Sequence, residues 1–271
     1  MNNRIRLVSI IIILLITLSS CGTIDRNTTG SNEEQADGKS AEISDVPADS
    51  SAFEAEVLQA GTSLLIAPDK ESNEYRSSDK ISVNLIDCKI TDKEGNVITA
   101  EEIKAGDILT ISYNGVILES YPAQLTANAI SVKDHNILMD GYLAIIDDIY
   151  QEDKGLNSDI EMIALDTSEW TGLDDAQKEA VFSELKNRYE VDIVEGTFDT
   201  LSEQGLIDKD NLYFPKGILI TVSISFDEKK QKLAYSIEKW RSGLGAIGTD
   251  DGSAEYDKGE WKITKKNVWK S

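Results

Sequence analysis

The residue with the clearest chemical assignment is Cys21, the last residue of the segment Leu18-Ser19-Ser20-Cys21. It follows a short stub with two arginines and an apolar run from Leu7 to Ile16. A charged region, a short apolar region and small residues, in this order, are typical of a secretory signal peptide. We therefore expect residues 1–20 to be a signal peptide and the rest of the chain to act outside the cytoplasm.

The same four residues resemble the lipobox of bacterial lipoproteins. The resemblance implies that Cys21 is diacylated on sulfur, becomes the new N-terminus and holds the chain at the extracytoplasmic face of the cell membrane. Two acyl chains anchor a protein stably, whereas one does so only marginally. An ordinary signal peptide with an incidental cysteine is one alternative. An uncut transmembrane anchor is disfavoured, because a span takes about 20 apolar residues and Leu7 to Leu18 is shorter.

A second set of candidate residues adjoins the glycine-rich segment 243–248. Its Gly-Leu-Gly-Ala-Ile-Gly string matches the glycine pattern of dinucleotide-binding loops, but that pattern requires a helix directly afterwards. An acidic turn at 249–253 follows instead. Trp240 and Arg241 precede the glycines, and a guanidinium beside an indole suits a carboxylate or a sugar. Two interpretations of Trp240 and Arg241 stay open, a ligand-facing corner and a purely structural one.

Three adjacent carboxylate pairs raise the question of hydrolysis: Asp147-Asp148, Asp174-Asp175 and Asp250-Asp251. A glycosidase needs two carboxylates that face each other across a cleft, and adjacency in sequence does not supply this. No segment has the ligand spacing of an EF-hand loop or the Gly-x-Ser-x-Gly pattern of a hydrolase elbow. The sequence therefore predicts no catalytic residue, no metal site and no cofactor.

The chain has two cysteines and one histidine, which limits other chemistry. If Cys21 carries lipid, Cys88 has no partner for an internal disulfide. The alternating stretch 81–88 predicts a buried or half-buried strand position for Cys88. His135 is the only histidine, so a zinc site with several imidazoles is disfavoured.

The formal net charge of −22 restricts the partners. Proteins that bind nucleic acids need Lys and Arg to displace the counterions of the phosphates, so we expect no nucleic-acid partner. Acidity of this kind mostly keeps a protein soluble, and the alternatives are cationic partners or loosely bound divalent cations.

Composition divides the chain into a tether and a folded part. Residues 21–51 are acidic and Ser-rich with few large apolar side chains, which predicts a disordered tether after the lipidated cysteine. Short alternating runs follow and predict strands. They are expected at 53–58, 63–67, 81–88, 108–113, 116–120 and 127–132. Asn114-Gly115 predicts a tight hairpin turn, and so many short strands predict a small β-barrel over residues 52–133.

Segments 103–108 and 114–124 resemble the OB-like domain of YobA-like lipoproteins of Gram-positive bacteria, a family of unknown function. The resemblance covers residues 52–133 and implies an OB-like barrel. OB folds often bind oligonucleotides or sugars on one face, but a fold alone does not assign a function.

Residues 136–271 mix helical and strand patterns, which predicts an α+β domain with helices on an antiparallel sheet. Helices are expected over 141–150, after a capping box at Asp174, and over 197–204. Strands are expected at 161–166, 218–226, 233–237, 254–256 and 260–263. Segments 153–160 and 239–246 are similar to uncharacterised extracytoplasmic proteins of Gram-positive bacteria.

These patterns predict a lipid-anchored cell-surface protein that binds an extracellular protein, peptide or glycan without catalysis. Two alternatives stay open. One is an extracytoplasmic, carboxylate-dependent hydrolase of cell-wall material, and the other is an immunity or resistance lipoprotein against cationic toxins. A cleft with facing carboxylates of raised pKa would favour the hydrolase, and a shallow apolar or aromatic patch would favour binding.

Overall fold

Residues 51–271 are described by a computed structural model of the chain. The predicted signal peptide, Cys21 and the tether up to residue 50 lie outside the described residues. Ser51, the last residue of the predicted tether, is the first residue of strand β1 (Ser51–Gln59).

The first part of the described chain is a closed five-stranded β-barrel, as predicted. Its strands are β1, β2 (Ser63–Pro68), β3 (Ile81–Asn84), β5 (Asp107–Tyr113) and β6 (Ala123–His135), and a short strand β4 (Lys89–Thr91) extends it. The order around the barrel is β3, β2, β1, β5, β6, and β3 closes the ring by pairing in parallel with β6. The fourth barrel strand thus returns to lie beside the first, which is Greek-key order.

Period-two alternation explains how these strands share a core. Along β5 every second side chain from Asp107 to Tyr113 is buried, because successive side chains of a strand point to opposite faces. The inward positions of all five strands meet in one apolar cluster. The predicted hairpin of β1 and β2 is present, with Val57 opposite Ile66.

The predicted strand at 81–88 is a strand only in its first half, β3; residues 85–88 form a connection with a turn, and β4 begins at Lys89. The chain leaves β3 after Asn84, and Asp87 takes a positive φ of 56°. Cys88 is half-buried, as expected, but it lies in the connection and not in a strand. Strand β4 then pairs in parallel with β6, as β3 does.

The predicted strand at 116–120 is absent. Gly115 has the positive φ of 79° that a tight turn requires, but a hairpin of two strands does not follow. Residues 114–122 form a loop that touches β6 through a single bridge between Leu118 and Gln124. Strand β5 pairs instead with the more distant segment from Ala127 to His135.

The second part has an α+β architecture, as predicted. Its helices are α1 (Ile137–Gln151), α2 (Asp175–Tyr189) and α3 (Phe198–Glu203). Its strands are β7 (Met162–Asp166), β8 (Asp192–Glu195), β9 (Gly217–Asp227), β10 (Lys232–Ser242), β11 (Gly245–Asp257), β12 (Glu260–Lys266) and β13 (Trp269–Lys270).

The sheet of this part is mixed, so the prediction of an antiparallel sheet is wrong in part. Its order is β12, β11, β10, β9, β7, β8, and β13 pairs with β11. Strands β9 to β12 are successive antiparallel partners, whereas β7 runs parallel to both β8 and β9. Parallel neighbours need a crossover connection, which helix α2 supplies between β7 and β8.

Helices α1 and α2 begin at capped N-termini and cover one face of the sheet. Asp174 Oδ1 accepts from the backbone N–H of Gln177, and Gln177 Oε1 accepts from that of Asp174, so the predicted capping box is formed. Helix α1 approaches the sheet closely at Gly141, where a Cβ would lie 2.6 Å from Leu233 Cδ1. None of the helices within residues 51–271 has the length and apolar character needed to cross a bilayer.

Candidate functional site

An uncharged groove lies on the outside of the barrel over strands β2, β3 and the start of β6. It runs between the β1–β2 loop (residues 60–62) and the β5–β6 loop (residues 114–122). Two adjoining depressions of about 580 and 510 Å³ form it. We call this surface the barrel face and define it by its outward polar side chains, Ser63, Ser82, Asn84, Gln124 and Thr126.

Strand register arranges the barrel face in two short rows. Asn84 lies opposite Ser63 on one side and Thr126 on the other. Ser82 lies opposite Gln124. Opposite residues of paired strands point to the same face, and neighbouring strands are about 4.8 Å apart. The barrel face therefore presents hydroxyl and amide groups at regular spacing on a rigid sheet.

The β5–β6 loop adds an apolar rim to this surface. Val116, Leu118 and Tyr121 are exposed, and Tyr121 shows 71% of its surface to solvent. Backbone hydrogen bonds join Leu118 and Gln124 in both directions, at 2.8 and 3.2 Å. The Gln124 side-chain amide donates to Ser120 Oγ at 3.1 Å. These bonds fix the base of the loop, and Tyr121 lines one depression together with Ser82 and Gln124.

No residue that lines either depression is charged. Charged residues make up 28% of the chain, so a lining of this size chosen at random would include several. A charged ligand would lose water here and gain no counter-charge, which is unfavourable. The groove therefore suits an uncharged, polar ligand.

A second concave region, of about 590 Å³, lies where the barrel meets helix α2. It is strongly acidic. Its carboxylates are Glu54, Glu56, Asp69, Glu71, Asp79, Asp174 and Asp175, and its one lysine is Lys70. Lys70 forms an ion pair with Asp174 at 3.0 Å.

Glu56 and Asp174 in this cleft have pKa values shifted in opposite directions. Burial raises the pKa of Glu56, although amide hydrogen bonds counteract it in part. Burial also acts on Asp174, but hydrogen bonds from the Gln177 backbone and from Lys70 hold its pKa below the usual range. Opposite shifts are the pattern of an acid–base pair. Structural hydrogen-bond networks shift pKa values in the same way, so the contacts of each carboxylate decide its role.

The contacts of Glu56 give it a structural role instead. The Asn136 side-chain amide donates to Glu56 Oε1 at 2.8 Å, and the Gln177 side-chain amide donates to Oε2 at 2.7 Å. Asn136 is the N-cap of α1 and Gln177 belongs to the capping box of α2. One carboxylate of the barrel therefore ties both helix N-termini to strand β1.

His135 lies at the same junction, between two carboxylates. Its Nδ1 is 2.7 Å from Asp107 Oδ1, and its Nε2 is 2.7 Å from Asp140 Oδ2. Asp107 is buried, and it also accepts from the Lys104 backbone N–H. Hydrogen bonds to Asp107 and then to Asp140 raise the pKa of His135 to about 9. An imidazolium that donates from both nitrogens is unsuited to act as a general base.

Lys239 on strand β10 is fully buried. Its Nζ donates to the carbonyl oxygens of Tyr150 and Glu152 and to Asn157 Oδ1, so it caps the C-terminus of helix α1. Burial lowers the pKa of this lysine to about 8. Its hydrogen bonds to the protein account for its position without a ligand.

Trp240 and Arg241 stand at the end of β10, just before the Gly243-Leu244 turn into β11. The Trp240 ring packs edge-on against Phe198, with centroids 5.2 Å apart. Arg241 Nη1 donates to the carbonyl oxygens of Leu156 and Ser158 at 2.9 and 2.6 Å. These contacts favour the structural interpretation of both residues, and a ligand-facing role stays a prediction.

The carboxylate pairs make different contacts. Asp147 accepts from the Tyr189 hydroxyl at 2.6 Å, Asp148 pairs with Lys265 at 2.7 Å, and Asp174 caps α2. Asp250 and Asp251 lie in an irregular stretch of β11. Within residues 51–271 no group of three His, Cys, Asp or Glu side chains is arranged to hold a metal ion. Burial raises the pKa of the Cys88 thiol to about 11, which makes it a weak nucleophile.

Sequence reasoning missed the barrel face. Ser63, Ser82, Asn84 and Thr126 occupy alternate positions of separate strands, and each alone is an ordinary outward residue. One feature of the sequence could have indicated this surface: the outward positions of β2, β3 and the start of β6 carry no charged residue. Only the pairing of β3 with β6 brings these positions side by side.

Comparisons with known proteins add little to this geometry. No protein-family model matches the chain, and no curated protein is similar to it. One similar solved structure is the crystal structure of asparaginyl-tRNA synthetase from Pyrococcus horikoshii, with 7% identity and a TM-score of 0.21. The similarity covers 72% of this chain, which spans about half (49%) of that one. At this TM-score the similarity carries no argument about fold or function.

Proposed function

We propose that the protein is a non-catalytic binding module at the cell surface, anchored to the outer face of the membrane by lipid on Cys21. The barrel is an OB-like barrel in this proposal, because it has five strands in Greek-key order. OB folds bind ligands on the face of their second and third strands, between the loop that joins strands one and two and the loop that joins strands four and five. The barrel face occupies the corresponding place.

The observation that carries the proposal is the uncharged groove on the barrel face. On a chain with a net charge of −22, most of the surface repels anions and is strongly hydrated. A connected uncharged area with an exposed aromatic ring is the part of this surface best suited to hold a polar, neutral partner. The interaction uses side chains on a rigid sheet and needs no reactive group.

The test is a charge placed on the barrel face. Full-length protein, purified in detergent and immobilised, would be incubated with cell-surface extract, and bound material would be compared between the natural chain and Ser82→Glu. Ser225→Glu is the matched control, since Ser225 is an outward serine on strand β9 of the other sheet. We expect Ser82→Glu to lose the bound material and Ser225→Glu to keep it. Equal retention by both variants would contradict the proposed site.

A further inference from the structure

We infer that the barrel face binds an uncharged glycan, which names the ligand class of the proposed site and rests on the proposed function. The alternatives for an exposed β-barrel face are a peptide, a nucleic acid and a charged polysaccharide. Strand pairing, charge and the chemistry of the lining side chains separate these classes.

Strand pairing argues against a peptide that adds a strand to the barrel. That mode of binding needs a strand edge with unpaired backbone groups. All four residues of β3 pair with β2 on one side, from Ile81 to Asn84. The same four residues pair with β6 on the other side. Strand β3, in the middle of the barrel face, therefore offers side chains and no free backbone edge.

Charge argues against nucleic acids and charged polysaccharides. A phosphate or carboxylate ligand needs Lys or Arg partners, and no residue lining the two depressions is cationic. A cationic ligand would need carboxylates, and none lines the groove either. The groove therefore offers no counter-charge to an anion or to a cation.

The side chains that do line the groove match the hydroxyl and amide groups of a sugar chain. Ser63, Ser82 and Thr126 each offer a donor and an acceptor. Asn84 Oδ1 accepts from the Ile86 backbone N–H and the Gln124 amide donates to Ser120 Oγ, so these two residues add chiefly the Asn84 amide donor and the Gln124 Oε1 acceptor. The two rows lie about 7 Å apart along the strand direction. An extended ligand that lies along the strands would therefore meet hydrogen-bonding groups at about this interval. The exposed ring of Tyr121 at the edge offers a flat apolar surface for the C–H face of a sugar ring.

The experiment measures binding of full-length protein in detergent by isothermal titration calorimetry. The probes are maltohexaose and the hexamer of N-acetylglucosamine, with hexaglutamate, hexalysine and an uncharged hexapeptide as comparison ligands. We expect at least one neutral oligosaccharide to bind and the charged ligands not to compete. Tyr121→Ala should weaken that binding about tenfold, the order of one aromatic contact, and Tyr121→Phe should keep most of it.

Controls separate the failure of this inference from the failure of the proposed function. Ser82→Glu should abolish glycan binding, Ser225→Glu should not, and thermal unfolding should confirm that every variant is folded. If the uncharged peptide binds in a Ser82-dependent way and neither oligosaccharide does, the glycan inference is overturned and the binding function stands. If no material from the cell surface and no probe depends on Ser82, both are overturned.

Discussion

The ion cluster of Asp107, His135 and Asp140 should make the stability of this protein depend on pH. The pKa of His135 is raised from 6.5 to about 9 in the folded protein, because both ring nitrogens donate to carboxylates. A raised pKa means that the folded state holds the proton more tightly than the unfolded state. The stabilisation is therefore complete below about pH 6.5 and is lost as the pH rises through about 9.

The size of the effect follows from the shift. One pKa unit corresponds to about 1.4 kcal/mol, which sets an upper limit of about 3 kcal/mol for His135. The imidazole is 25% exposed, so we expect about 1–3 kcal/mol after solvent screening. Lys239 acts in the opposite sense, because its lowered pKa of about 8 makes stability rise with pH between about 8 and 10.5.

A comparison with His135→Gln isolates the histidine, because Lys239 contributes equally to both chains. Urea unfolding at pH 6, 7.5 and 9 would give the free energy of unfolding of each. We expect the advantage of the natural chain to shrink by about 1–3 kcal/mol from pH 6 to pH 9. Since the chain has one histidine, its imidazole resonance in an untagged protein reports the pKa directly. A pKa at or below 6.5, or a stability difference independent of pH, would refute the reasoning.

Three further predictions concern the anchor and the second part of the chain. Cys21→Ala should abolish fatty-acid labelling and release the protein from membranes, and persistence of the label would contradict lipidation. Lys239→Met should lower the free energy of unfolding by about 2–4 kcal/mol, because buried carbonyl oxygens lose their donor; a chemical-denaturation midpoint like that of the natural chain would count against the cap. Gly252→Ala should cost about 1–3 kcal/mol, since a Cβ there would lie 2.3 Å from the Tyr235 ring. Gly61→Ala is its control, and equal unfolding curves for the two variants would argue against close packing.

Local patterns predicted the elements whose partners are near in sequence. The β1–β2 hairpin, the capping box at Asp174 and the β9–β10 hairpin each depend on residues a few positions apart. Alternation and capping are local properties of the chain, so the sequence of one short segment is enough to predict each of these elements. These elements are present at nearly the predicted positions.

Elements that depend on distant partners were not predictable in the same way. Asn114-Gly115 has the composition of a hairpin turn, but β5 pairs with Ala127 to His135, and the residues between form the rim loop of the groove. Strand β8 is four residues long and lies at the sheet edge, which leaves it without a clear buried alternation. The sequence patterns predict no strand at β8, and they therefore do not predict its parallel pairing with β7.

The parallel pairing of β3 with β6 determines more than the shape of the barrel. It removes a strand edge that would otherwise invite pairing with other chains, and it places Ser82 beside Gln124 and Asn84 beside Thr126. Gln124 also holds the loop that carries Tyr121, through its backbone bonds to Leu118. The rigid rows and the aromatic rim therefore depend on the same short stretch of β6. A binding site built in this way needs little rearrangement to receive a ligand, because its side chains stand on paired strands and its loop is already fixed at the base.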